Sequence, residues 1–256
     1  MITATSQPRW PVSATATGNA TVISSEAIED HFDRNFELEH YLEQAGKHDL
    51  LKDVQASAEL AHIHYVRQGD PIGLGHAVSV AREHVGTESF AVLLADDIMV
   101  DDSELLRSML DVHERYGRSV MALLQVSDDE ISSYGCAAGE EVHDGLIEVK
   151  TIVEKPPREE APSNLAVFGR YVFTPEIFDS LDGIEPGRGG ELQLTDAISR
   201  LLDDQSVYGR LFVEGRHDIG QKLGFLRANV ELALERPDMA ADVADMLRDV
   251  MLKYHL

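Results

Sequence analysis

The stretch FAVLLADDIMVDDSELLRSMLDVHERYGRSVMALLQV, residues 90–126, decides the fold class. It opens on an unbroken apolar run, Phe90 to Ala95, that stops at two carboxylates, Asp96 and Asp97. Leu105, Leu106, Met109 and Leu110 then share one side of a helical segment, Ser103 to Tyr116. A second apolar run, Ser119 to Val126, closes the stretch. Apolar runs without alternation belong to strands buried on both faces. Upstream, His62 to Arg67 has strand character and Gly75 to His84 helical character. The resulting β-α-β-α-β order predicts an α/β protein with a mostly parallel sheet and helices on both faces.

Outward from this centre the pattern changes. Ser25 precedes a run with Ile28, Phe32, Phe36, Leu38, Tyr41 and Leu42, mostly at helical spacing and ended by Gly46. Phe32, Phe36 and Tyr41 are expected in the core. Leu146 to Glu154 and Ala166 to Phe173 are strand-like, joined by the Pro-rich segment Pro156 to Pro162, and predict a small antiparallel or mixed extension. Leu192 to Leu202 is helical, Leu211 to Glu214 a short strand, and Gly220 to Glu235 and Asp238 to Tyr254 are helices split by Pro237. Residues 1–23, rich in Thr, Ser and Ala, carry no period and predict a disordered leader; residues 24–256 are expected to form one domain with an inserted lobe.

Composition narrows the function. Lys and Arg number 22 against 46 Asp and Glu, a formal charge of −24, which disfavours nucleic acid as a partner. No apolar run is long enough to span a bilayer, and the N-terminus lacks the order of a signal peptide, so a cytoplasmic setting is expected. The single cysteine, Cys136, excludes a disulfide framework and fits a small buried residue.

In a parallel α/β sheet, ligands bind beyond the C-terminal strand ends. Arg67-Gln68-Gly69-Asp70-Pro71-Ile72-Gly73-Leu74-Gly75-His76-Ala77 links a strand to a helix there. Its glycines permit close backbone approach, and Gln68 offers the donor and acceptor that a uracil or thymine edge needs; a plain β-α turn is the alternative. Asp96 and Asp97 end a strand in the way that holds Mg²⁺, or else cap the next turn. Lys155 beside Glu154 suits a phosphate and sugar hydroxyls, or is a solvated charge pair. Asp218 is either a helix cap or a second metal carboxylate. His62 and His64, on one face of their segment, have no third ligand nearby and are expected to be structural.

Together these segments resemble one family, the bacterial UTP–glucose-1-phosphate uridylyltransferases. The likeness rests on Ile28-Glu29-Asp30-His31-Phe32-Asp33 with Phe36-Glu37-Leu38-Glu39, on Arg67-Gln68-Gly69 with Gly73-Leu74-Gly75-His76-Ala77-Val78, and on the Asp96 strand end. It continues through Tyr134-Gly135, Val153-Glu154-Lys155-Pro156, Asn164-Leu165-Ala166, Gly169-Arg170-Tyr171, Glu191 to Ile198, and His217-Asp218-Ile219-Gly220. The Gly73-Leu74-Gly75-His76 string favours this family over the related thymidylyltransferases. The resemblance implies a Rossmann-like (GT-A-like), three-layer nucleotidyltransferase fold. It implies that Gln68 and Gly73 contact uracil and that Asp96 and Asp218 hold Mg²⁺. It also implies that Gly135, Glu154, Lys155, Asn164 and Val167 bind glucose 1-phosphate, with Lys155 and Asp96 serving catalysis. UTP and glucose 1-phosphate are the implied substrates, and a homo-oligomer, dimer or tetramer, is implied as well.

One departure stands out. The family opens with a strand and a Gly-rich loop carrying Gly-x-Gly-Thr-Arg, which wraps the triphosphate. Residues 1–23 hold no such loop, and their one cation is Arg9. The expectation is an N-terminally shortened member with reduced or no turnover, roughly 10³-fold or more below an intact enzyme by analogy with arginine fingers. The alternative is a non-catalytic nucleotide-sugar-binding or regulatory partner of a full-length copy.

Overall fold

A computed structural model describes residues 30–59, 63–101 and 103–255. The leader, the start of the first predicted helix and His62 lie outside them. The described residues fold as two compact units, one within 30–92 and 172–205, the other within 93–171 and 206–255.

In the first unit the run expected to be one helix is interrupted before α1 (Phe36–Gln44). The Asn35 side chain stops it there by accepting the Leu38 N–H at 3.0 Å, an N-cap. Leu42 is buried, but Phe36 and Tyr41 are 72% and 62% exposed, contrary to expectation. α2 (His48–Glu59) follows and buries none of its residues. Ile63 to Arg67 forms no strand, since a β-ladder needs a partner that local pattern cannot supply. The helix expected over Gly75 to His84 is two short ones, α3 (Leu74–Ser79) and α4 (Arg82–Val85). With α6 (Ile177–Asp182) and α7 (Leu194–Asp204) they enclose a core of Ala77, Val78, Phe173, Phe178, Ile198 and Leu201. Phe90, at the head of β1 (Phe90–Leu93), stacks on Phe178 with ring centroids 5.1 Å apart.

The second unit holds the mixed sheet. β3 (Val120–Gln125) runs parallel to β7 (Val207–Phe212). β4 (Gly135–His143), β5 (Leu146–Glu154) and β6 (Leu165–Phe173) add antiparallel pairings, β5 to β7, β4 to β5 and β4 to β6. β4 was not anticipated from its own residues. Its turn, Asp144-Gly145, has both residues at positive φ (42° and 72°), the geometry of a two-residue hairpin, and Asp-Gly is its signal. α5 (Glu104–Tyr116) starts where the Asp101 carboxylate accepts the N–H groups of Ser103 and Leu105, and it buries Leu105, Met109, Val112 and His113 along one stripe. A separate ribbon pairs β2 (Asp97–Met99) with β8 (Arg216–Asp218). The chain ends in α8 (Lys222–Glu235) and α9 (Ala240–Tyr254).

Candidate active site

The ribbon decides where two of the anticipated carboxylates go. β2 and β8 are antiparallel with Asp97 opposite Asp218, and the Asp96 carbonyl accepts the Ile219 N–H at 2.8 Å. Asp96 and Asp218 therefore meet. A Cβ built on Gly220 would lie 3.0 Å from Asp96 Oδ2 and 3.3 Å from Asp218 Oδ1, so the absence of a side chain there keeps a gap open between two carboxylates. Partial loss of water, and then the negative charges of Asp97 and Asp218, raise the Asp96 carboxyl above its ordinary value. The like charges of Asp96 and Asp218 are thus held close together, with Arg216 bonded to Asp218. Among the described residues no group of three or more His, Cys, Asp or Glu side chains converges. A pair of carboxylates suits Mg²⁺, which keeps several waters and takes further oxygens from substrate phosphates.

Asp97 is not part of that gap. It is buried, and it accepts the Gly169 N–H at 2.8 Å and Arg216 Nε at 2.5 Å. Asp218 does not cap a helix either; Gln221 holds that position before α8, and the Asp218 carboxylate accepts Gly220 N–H at 3.1 Å and Arg216 Nη2 at 3.3 Å. Arg216 lies over the Tyr134 and Phe168 rings, 5.4 and 5.1 Å from their centroids. Arg170, also buried, donates to the carbonyls of Leu94, Gly169 and Asp97. Arg170 is thus held by main-chain carbonyls under the charges of Asp97, Asp101 and Asp96, while Arg216 pairs with Asp97 and Asp218.

The residues anticipated for the sugar phosphate share one row across three strands. Gly135 on β4 stands opposite Glu154 on β5 and opposite Val167 on β6. Gly135 and Val167 are buried. Lys155 follows directly, with φ +41°, an unusual backbone for a residue with a side chain, and its N–H donates to the Tyr134 carbonyl at 3.1 Å. Lys155 Nζ and Glu154 Oε1 are 3.3 Å apart, so the charge pair does exist. Asn164 is half-buried, and its carbonyl accepts the Val126 N–H at 3.0 Å. Cys136 is buried beside this row, its thiol 3.1 Å from the Ser163 carbonyl oxygen.

Gln68 and Gly73 belong to the first unit, within hydrogen-bonding reach of each other. The Gln68 side-chain amide donates to the Gly73 carbonyl and meets His76 Nδ1, both at 3.1 Å. Both of its N–H donors are thereby engaged, which leaves its carbonyl oxygen as the group for a ligand. Gly73 has φ +109°, and a Cβ there would fall 2.7 Å from the Leu192 carbonyl oxygen. The Gly75 N–H donates to that same oxygen at 2.8 Å. The glycines of this segment thus admit another stretch of backbone, Glu191-Leu192, and the Gly75 N–H is not free for a phosphate.

Comparison with known proteins identifies the family. A profile of the nucleotidyl transferase family matches residues 20–235. A UTP–glucose-1-phosphate uridylyltransferase of Staphylococcus epidermidis is 46% identical over 224 residues, 88% of this chain and 78% of that protein. The chain belongs to this family of bacterial uridylyltransferases. A crystal structure of UDP-glucose pyrophosphorylase complexed with UDP-glucose is similar with a TM-score of 0.75 and 35% identity, over 84% of this chain and 79% of the other. A UTP-bound enzyme from Acinetobacter baumannii aligns with a TM-score of 0.77 and 37% identity, over 86% and 78%. The fold is accordingly the Rossmann-like nucleotidyltransferase α/β fold with a mixed sheet.

Local sequence pattern does not mark the residues that this structure places behind the carboxylates. Arg216 stands in β8, two residues before Asp218, and no local pattern marks it as the partner of Asp97. Tyr134 was legible only as the neighbour of Gly135. The signal for Arg170 was its place inside an apolar run, because a charged residue in a buried strand requires partners.

Proposed function

We propose that this chain transfers uridylyl from UTP to glucose 1-phosphate, giving UDP-glucose and pyrophosphate. The observation that carries the reading is the meeting of Asp96 and Asp218 at the Gly220 gap, with Tyr134 linking Asp218 to the Gly135–Glu154–Val167 row. A phosphate oxygen of glucose 1-phosphate attacks the α-phosphorus of UTP, and the bond to the β-phosphate oxygen breaks. Such a reaction needs alignment and charge neutralisation rather than a protein nucleophile. Lys155 faces the sugar phosphate, Glu154 accepts from sugar hydroxyls, and Gly135, Asn164 and Val167 line the sugar. Gln68 accepts from a uracil N–H through its carbonyl oxygen, with Gly73 beside it. Asp96 and Asp218 hold Mg²⁺, which neutralises phosphate charge when bound.

Residues 1–23 contain no Gly-x-Gly-Thr-Arg string, so we expect this 256-residue polypeptide, assayed alone, to turn over slowly. The test is pyrophosphate release from UTP and glucose 1-phosphate with Mg²⁺, alongside calorimetry of both substrates. Binding of both with slow release supports the reading. Binding of UDP-glucose with no release at all supports the non-catalytic alternative. Lys155→Ala should weaken glucose 1-phosphate binding; unchanged affinity removes that assignment. No described helix is long and apolar enough to cross a membrane, and the unpaired thiol of Cys136 suits a cytoplasmic setting. α9 exposes Met246, Val250, Met251 and Leu252 and buries none of its residues, which supports self-association; light scattering should return a mass above one chain.

A further inference from the structure

We infer that Tyr134 is a positioning residue that couples sugar-phosphate binding to divalent-cation binding in the second unit. The inference rests on the functional reading above and goes beyond it. Tyr134 touches both sides of the site, one through its main chain and the other through its hydroxyl and ring. Its carbonyl accepts the Lys155 N–H at 3.1 Å, and its hydroxyl donates to Asp218 Oδ2 at 3.2 Å. Its ring lies against the Arg216 guanidinium, which bonds both Asp97 and Asp218. Ile131, Cys136 and Ala166 pack behind it as a buried cluster.

Two features make this a connection rather than a set of separate contacts. Lys155 keeps a left-handed backbone that a side chain disfavours, and the Tyr134 carbonyl helps to hold it there. A phosphate that draws on the Lys155 ammonium therefore loads the residue that orients Asp218. In the reverse direction, a cation that draws Asp218 toward Asp96 pulls on the Tyr134 hydroxyl. Burial keeps that hydroxyl protonated, so it remains a donor throughout. Linkage makes such coupling reciprocal.

The experiment measures Mn²⁺ binding, from the paramagnetic signal of the free ion, with and without saturating glucose 1-phosphate. The proteins compared are the unaltered chain and Tyr134→Phe. The phenyl ring retains the packing on Arg216, and the main chain retains the hold on Lys155, so the variant removes the hydroxyl alone. In the unaltered chain glucose 1-phosphate should tighten Mn²⁺ binding by about fivefold or more. In Tyr134→Phe the factor should fall below about twofold, while metal-free glucose 1-phosphate affinity stays the same. An equal factor in both proteins overturns the inference, because a direct phosphate–cation bridge would then carry the coupling. An unaltered chain that binds both ligands independently also overturns it. If the unaltered chain binds neither ligand, the functional reading falls first and this inference with it.

Discussion

A methyl group added at Gly220 separates cation binding from folding. Gly220 does not have a positive φ, so alanine meets no backbone penalty there. Its Cβ would lie 3.0 Å from Asp96 Oδ2 and 3.3 Å from Asp218 Oδ1, inside ordinary carbon–oxygen contact and within the space a cation needs. Mg²⁺ holds its oxygens at about 2.0–2.1 Å, so methyl and ion cannot share the gap without one carboxylate turning away. Removal of groups that merely orient metal ligands costs about 10–100-fold in affinity, and displacement of a ligand should cost at least the lower figure, about 1.4 kcal/mol. Stability should change little: Gly→Ala gains about 0.4–1 kcal/mol where the backbone permits it, and the crowded carboxylates offset part of that. The melting temperature should therefore stay within about 4 °C of the unaltered chain. The assay is Mn²⁺ titration paired with a thermal melt. Mn²⁺ affinity within twofold of the unaltered chain would refute the placement of the ion. A fall of more than about 10 °C would show that the methyl acts on folding instead.

Three other outcomes follow from the same structure. Because the Asp96 carboxyl is raised above its ordinary 3.8, protons should compete with Mn²⁺ from a higher pH than at an isolated aspartate. Affinity should fall as pH drops through that raised value, and an onset at or below 3.8 contradicts the crowding of charge. Glu39 is held down to about 2 by its hydrogen bonds from Arg34 and then Gln55. Its folded value lies below its unfolded 4.5, so the stability it contributes is present above 4.5 and is lost as pH falls toward 2. Arg34→Met should melt earlier than the unaltered chain at pH 7, with the gap closing near pH 2; a gap constant with pH rejects the linkage. Gly73→Ala places a Cβ 2.7 Å from the Leu192 carbonyl oxygen at a φ of +109° and should cost roughly 2 kcal/mol or more, read as a lower melting temperature. An unchanged melt would show that the Glu191-Leu192 backbone yields.

Residues 90–126 carry the strand–helix–strand order in their own composition, because burial on both faces and helical spacing are local patterns. Asp101, Asn35 and Asp144-Gly145 likewise state their caps and turn locally. The pairing of strands is not local. Nothing within Ile63 to Arg67 shows that this segment lacks a ladder, and nothing in β4 shows that it lies between β5 and β6. The same holds for the site. Asp96, Asp218, Glu154 and Lys155 were each visible as residue types at element ends, whereas Gly135 entered only through the family resemblance. That Asp97 turns inward to Arg216 while Asp96 turns to Asp218 depends on a three-residue ribbon between segments far apart in the chain. Side chains alternate along a strand, so that one register sends Asp97 into the protein and leaves its neighbour Asp96 beside Asp218.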